Sequence, residues 1–217
     1  MGDIFNILDQ TADNVLTLLR KKGTNLLNRN TVNSTRAVGD AVQTFLSRDR
    51  GLRTCFPAGF IDKFESEFER RSMEDMAFSS GNHYFAVDCK THNRNTVFNM
   101  PNLISVRRLA NFYMNDTNVF CLLIVEYTVD GTKIEYNNCY FKPIESFSWD
   151  CLTLGALGWG QIQIANSNKL YFNDDVDRKS WMLELCNRID EFYVEEIGKI
   201  GERREWFDNI RQYWSNK

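Results

Sequence analysis

The chain has 217 residues, 43% of them hydrophobic, 25% charged and 13% aromatic, which excludes a disordered polymer and suits one domain with a substantial core. A net charge of −3 excludes bulk attraction to nucleic acid, but not a basic cleft on an otherwise acidic surface. No basic-then-apolar leader opens the chain and no apolar run approaches about 20 residues, so a soluble, cytoplasmic protein without a membrane partner is expected.

In chain order, Ile4, Ile7, Leu8, Val15, Leu18 and Leu19 recur at helical spacing, which predicts a packing or dimer helix over Asp3–Lys22 closed by Gly23. The polar stretch Asn25–Asn33 reads as a loop. Ser34 or Thr35 can cap a second helix to about Ser47, with Val38, Val42 and Phe45 inward and Asp40 off that stripe. A third helix is expected over Ala58–Arg71, with Phe60, Ile61, Phe64 and Phe68 inward. Two strands joined at Ser80-Gly81-Asn82 come next, the second from His83 to Thr91. The polar loop after Lys90 leads to Pro101, which suits a helix first turn, and Leu103, Val106, Leu109, Ala110 and Tyr113 extend that helix.

Asn118–Thr128 is a continuous run of β-formers and reads as a buried central strand. Asp130-Gly131 turns it into a hairpin returning through Lys133 to Phe141. A loop with Pro143 and Trp149 precedes a strand over Gly158–Ile164, on which Gln161 and Gln163 share one face. Asn166-Ser167-Asn168 turns the chain. The remainder, from Asp174 to Trp214, is helical, with Gly198 and Gly201 expected to interrupt it. The order predicts a single α/β domain over 1–217: a helical part (1–71), a sheet with its loops (72–172) and closing helices (173–217). The six cysteines, 55, 89, 121, 139, 151 and 186, show no paired spacing and are expected to be reduced.

The chemistry concentrates in Met73–Lys90. On a strand Asp88 and Lys90 project together while Val87 and Cys89 point the other way, and a hairpin return brings Asp75 beside Asp88. Two carboxylates and an ammonium at one sheet edge suit metal-assisted phosphodiester hydrolysis: acidic oxygens hold a hard cation, and the positive group orients water or stabilises developing charge. Asp177-Arg178-Lys179 repeats the acid-x-lysine spacing but sits at a helix start, where the acid complements the helix dipole. Paired amides such as Gln161 and Gln163 are either ordinary polar surface or readers of adenine edges.

The stretches VDCKTHNRNTVFNMPNLISVRRLANF and GWGQIQIANSNKLYF, in that order, resemble the type II restriction endonucleases of the PD-(D/E)xK superfamily, nearest to its blunt-cutting group. TRAVGDAVQTFL resembles that family's early helix with an acidic residue. The resemblance spans Ser72–Phe172, about half the chain. It implies a restriction-endonuclease-like mixed central β-sheet flanked by helices, and Mg²⁺-dependent cleavage of double-stranded DNA by a homodimer. By the same likeness Asp75 and Asp88 hold Mg²⁺, Lys90 positions the attacking water, and Asp40 is an accessory acid. Thr91, Arg94, Asn95 and Arg107 contact phosphates, the loop from His92 to Asn102 (with Asn99 and Met100) approaches DNA, and Gln161, Gln163 and Asn166 read bases. The chain departs from the pattern in having Glu74 where Pro precedes the first acid, so Glu74 competes with Asp75 for that role. Two alternatives stay open. One is a repair or junction nuclease on the same core; the other is a non-catalytic DNA-binding or protein-interaction domain in which Asp88 and Lys90 are merely an ion pair.

Overall fold

The computed structural model describes residues 2–23, 34–69, 72–96, 101–131, 133–166, 169–173, 175 and 177–217. Its elements are α1 (Gly2–Lys22), α2 (Thr35–Leu46), a 3-10 turn (Leu52–Cys55), β1 (Lys63–Glu65), β2 (Met76–Ser80), β3 (His83–Asn93), β4 (Asn102–Ser105) and α3 (Val106–Phe112). They continue with β5 (Asn118–Asp130), β6 (Lys133–Pro143), a second 3-10 turn (Ile144–Ser146), β7 (Leu152–Gly155), β8 (Gln161–Ile164) and α4 (Arg178–Ser215). The protein is mixed α/β. Five strands form a mixed sheet in the order β1-β2-β3-β5-β6, and three more form a second sheet, β4-β8-β7. Among the described residues no helix is long and apolar enough to cross a membrane.

The large sheet is covered on both faces, which explains the unbroken apolar run of β5. Val119, Cys121, Leu123 and Val125 join a cluster with Leu8, Val15 and Leu19 of α1 and Val38, Val42 and Leu46 of α2. Phe120, Leu122 and Ile124 join a cluster with Leu109 of α3, Ile162 and Ile164 of β8, and Trp181 and Leu185 of α4. Alternate residues therefore face different layers, and both layers are apolar. β3 lies parallel to β5 with Asp88 opposite Leu122 and Lys90 opposite Ile124. A parallel pair needs a crossover; β4 and α3 supply it and place the small sheet over the face that carries Asp88.

Several sequence expectations hold. Ser34 caps α2, its hydroxyl accepting from Ala37 N. Gly23, Gly81 and Gly131 take left-handed φ values of 53°, 54° and 57° where a helix or strand turns. All six cysteines are free. Asp177 is the N-cap of α4, accepting from Ser180 N at 3.0 Å.

Four expectations are corrected. Residues 58–69 are not helical: Lys63, Phe64 and Glu65 pair with Ser79, Phe78 and Ala77, because the exposed edge of β2 offers ladder hydrogen bonds that outweigh a weak helical pattern. Phe60, Ile61 and Phe64 still pack on the core. The helix expected from Pro101 starts at Val106, since Asn102, Ile104 and Ser105 pair with β8. β7 was not foreseen. Gly198 and Gly201 do not interrupt α4, which runs unbroken for 38 residues; a helix interior tolerates Gly at about 1 kcal/mol each. The loop expected over Asn25–Asn33 lies outside the described residues, as do Arg70 and Arg71, Asn99 and Met100, and Ser167 and Asn168.

Gly51 turns the chain from α2 into the first 3-10 helix, and a Cβ there would collide with the backbone carbonyls of Leu46 and Phe45. Gly51→Ala is expected to cost about 2–4 kcal/mol in chemical denaturation with an unchanged m-value. A change within about 0.5 kcal/mol would mean that this turn moves freely.

Candidate active site

Three side chains from two adjacent strands meet where the large sheet opens toward the small one. Asp75 stands immediately before β2 and is held in register by its own N–H, which donates to Val87 O at 2.9 Å. Its carboxylate is fixed from two sides: Oδ2 accepts from Cys89 N at 2.8 Å, and Oδ1 accepts from Gln43 Nε2 of α2 at 2.7 Å. Asp88, on β3, is only 6% exposed. Its Oδ1 accepts from Lys90 Nζ at 2.7 Å, while Oδ2 is buried without a hydrogen-bond partner. Cys89, between them, points into the opposite core. The alternation of β3 thus gathers the two charged groups on one face and leaves the thiol on the other.

Burial sets the electrostatics. The Asp88 carboxyl is raised to about 7: desolvation pushes it up most, Lys90 pulls it back, and the neighbouring Asp75 charge adds to the rise. Asp75 is also raised, first by burial, against the lowering effects of the Cys89 N–H and Lys90. For Lys90 burial pulls the ammonium down, but the charge and hydrogen bond of Asp88, together with Asp75, outweigh it, so the group stays protonated. Asp75 is the acid that bears on Asp88 and Lys90. Glu74 instead adds its charge at Tyr84, after burial has already raised that phenol.

A cleft of about 500 Å³ opens over the pair, lined by Asp88, Lys90, Ser105, Arg108, Trp159 and Gln161 among others. The structure therefore brings Gln161, 73 positions away in sequence, to the same cleft as Asp88. Gln163 lies further along the same face, its Nε2 donating to Asn102 Oδ1 at 2.5 Å. Thr91 sits under α2, where Gly39 leaves room for its hydroxyl. Arg94 is half exposed and pairs with the buried Glu126 at 3.6 Å.

Other expected contacts fall elsewhere. His92 is 2% exposed, buried opposite Glu126 because the β3 alternation carries it inward, so it offers no surface to a ligand. Asn95 is used in the turn, its Oδ1 accepting from Val129 N at 3.0 Å. Arg107 leaves the cleft and stacks over the Trp159 ring at 4.9 Å. Asn166 is half-buried past the end of β8, its carbonyl accepting from Lys169 N. The Asp40 side chain is 70% exposed and lies 3.9 Å from Arg36, a helix-surface pair. The α2 residue that reaches the acids is Gln43, one turn further on, together with Gly39 on the face toward β3. Gln43 was missed because a lone amide gives no signal in the sequence. Arg108 and Trp159 were missed because only the approach of the small sheet places them by Lys90.

The residues fit a hard cation. Asp88 Oδ2 is a desolvated carboxylate oxygen lacking a donor, and each Asp75 oxygen keeps an acceptor lone pair beyond its single hydrogen bond. Among the described residues no three His, Cys, Asp or Glu side chains converge, so the protein supplies two carboxylates and no more. No protein-family model matches the chain, and no curated protein matches it. The fold and the site together define a mixed α/β protein in which a buried Asp88 and a half-buried Lys90 line a cleft between two sheets, with the half-buried Asp75 beside them.

The raised carboxyls set a direction for metal-free stability. A carboxyl raised on folding favours the native state fully below its unfolded value near 3.8, and that contribution is lost as pH rises through the folded value of about 7. Unfolding free energy without metal is expected to fall by a few kcal/mol between pH 4 and pH 8, and to fall less in Asp88→Asn. Denaturation curves across that range check this; equal pH slopes in the two proteins would contradict the burial of Asp88.

Proposed function

We propose that the chain is a Mg²⁺-dependent, site-specific deoxyribonuclease of the restriction-endonuclease-like class that cleaves double-stranded DNA as a symmetric homodimer. The observation that carries this reading is the meeting of Asp75 with Asp88 and Lys90 of the central strand β3, with Gln161 lining the same cleft as Asp88 and Lys90. A non-catalytic ion pair alone gives no reason for a second raised carboxyl held beside it by a glutamine from another element.

In this reading Asp75 and Asp88 hold the cation, with Gln43 and the Cys89 N–H orienting the first of them. The metal, when bound, polarises the scissile phosphoryl group. Lys90, at the side of Asp88, would orient the attacking water and donate to developing charge. Arg108, in the same cleft, contacts a backbone phosphate, and Gln161 and Gln163 present amides to base edges. The products carry a 5′ phosphate and a 3′ hydroxyl.

The closed Asp88–Lys90 pair at 2.7 Å is also what a non-catalytic DNA-binding module would show. Incubation with phage DNA and Mg²⁺ separates the two: discrete bands support the nuclease, and intact DNA with retained binding supports the module. Asp88→Ala and Lys90→Ala are each expected to abolish cleavage while leaving DNA binding largely intact; undiminished cutting in either removes the site. Gln161→Ala is expected to weaken discrimination at particular base pairs by about 1–3 kcal/mol, read from cleavage of single-base variants of the preferred site.

A further inference from the structure

The distal half of α4 is exposed along its whole length, every residue from 197 to 217 included. It nonetheless carries Ile197, Ile200, Phe207, Ile210 and Trp214, which are 36–70% exposed. These positions recur at intervals of three, seven, three and four, the spacing of one helical stripe. The same segment contains Gly198 and Gly201, each with nothing within 4 Å of where a side chain would start. A solvated helix of this length with two glycines is marginal by itself, since each costs about 1 kcal/mol and most helices draw their stability from packing an apolar face. The proximal half does pack, through Trp181 on Trp149 and the Tyr193 hydroxyl on Trp159 O. The distal half has an apolar stripe that no described residue covers.

We propose that this segment, residues 196–215, pairs antiparallel with the same segment of a second copy of the chain. Two observations select that occupant. The stripe is symmetric about residues 203 and 204, with Ile197 and Ile200 on one side and Phe207 and Ile210 on the other at mirrored distances. A two-fold partner running the opposite way therefore presents the same pattern, Ile197 facing Ile210 and Ile200 facing Phe207. The charges agree. Residues 190–196 hold four acids (Asp190, Glu191, Glu195, Glu196) and no base, whereas residues 211–217 hold Arg211 and Lys217 and no acid. Antiparallel pairing sets each acidic end against a basic end; parallel pairing would stack acidic on acidic. At the centre, Arg203 and Arg204 approach their copies flanked by Glu202 and Glu205. The inference stands on α4 alone, and it gives the dimer of the nuclease reading a surface.

The test uses the full chain without DNA or metal, so that its failure and the failure of the nuclease reading are separate results. Sedimentation in the micromolar range is expected to give twice the 25.4 kDa chain mass. Ile197→Glu with Phe207→Glu is expected to weaken association at least about 100-fold while the thermal unfolding of the body is unchanged, as both side chains are mostly exposed and belong to neither core cluster of the described residues. A wild-type monomer overturns the proposal, and so does a dimer that survives both substitutions. Orientation is read by cross-linking in a Cys186→Ser background, which removes the exposed native thiol. A mixture of Ile197→Cys and Ile210→Cys chains is expected to form a disulfide between the two kinds, and Ile197→Cys alone is not. The reverse result would establish a parallel pair and overturn the orientation.

Discussion

Everything at the candidate site depends on keeping two carboxylates close together in a half-dry place, and the backbone of β3 makes that possible. Like charges this close repel, and burial penalises each of them. Three donors offset the cost: the Cys89 N–H, the Gln43 amide and the Lys90 ammonium. One comes from the strand itself, one from a helix on the opposite layer and one from two residues along. The Asp88 oxygen left without a donor is the residual cost, and it is the atom best suited to a cation.

The surrounding architecture follows from covering a sheet on both faces. α1 and α2 seal one face, and α3, the small sheet and the start of α4 seal the other. The second cover is incomplete where the two sheets diverge, and the cleft occupies that gap. An acid and a lysine on the first face of β3 would have been buried under helices with no access. On the second face they border an opening that also presents an amide, an arginine and an exposed tryptophan. The same division of labour appears in α4, whose first turns complete the core and whose remainder is exposed.

Sequence patterning failed where two periods competed. The segment after Pro57 has apolar residues at spacings that fit a helix, yet Phe64 lies in a strand because β2 would otherwise keep an open edge. Leu103 fits a helical stripe with Val106, yet its segment is a strand because β8 needs a partner on that side. In both places the deciding term is a backbone ladder with a segment remote in sequence. His92 shows the converse: one more step of the β3 alternation would have placed it inward, but a polar residue in a polar loop pattern gives no reason to extend the strand so far.

What the sequence by itself determined is what period and turn chemistry control: the β2–β3 and β5–β6 hairpins, the capped α2, the buried β5, and the shared face of Asp88 and Lys90. Those features rest on neighbours one to four positions apart, where side-chain direction is set by the backbone. Only the tertiary structure decided that Gln43 would hold Asp75, that Gln161 and Arg108 would share a cleft with Lys90, and that Asp40 and Arg107 would lie away from it. Those distances join elements far apart in the chain, and they follow from how layers pack, which no local period encodes.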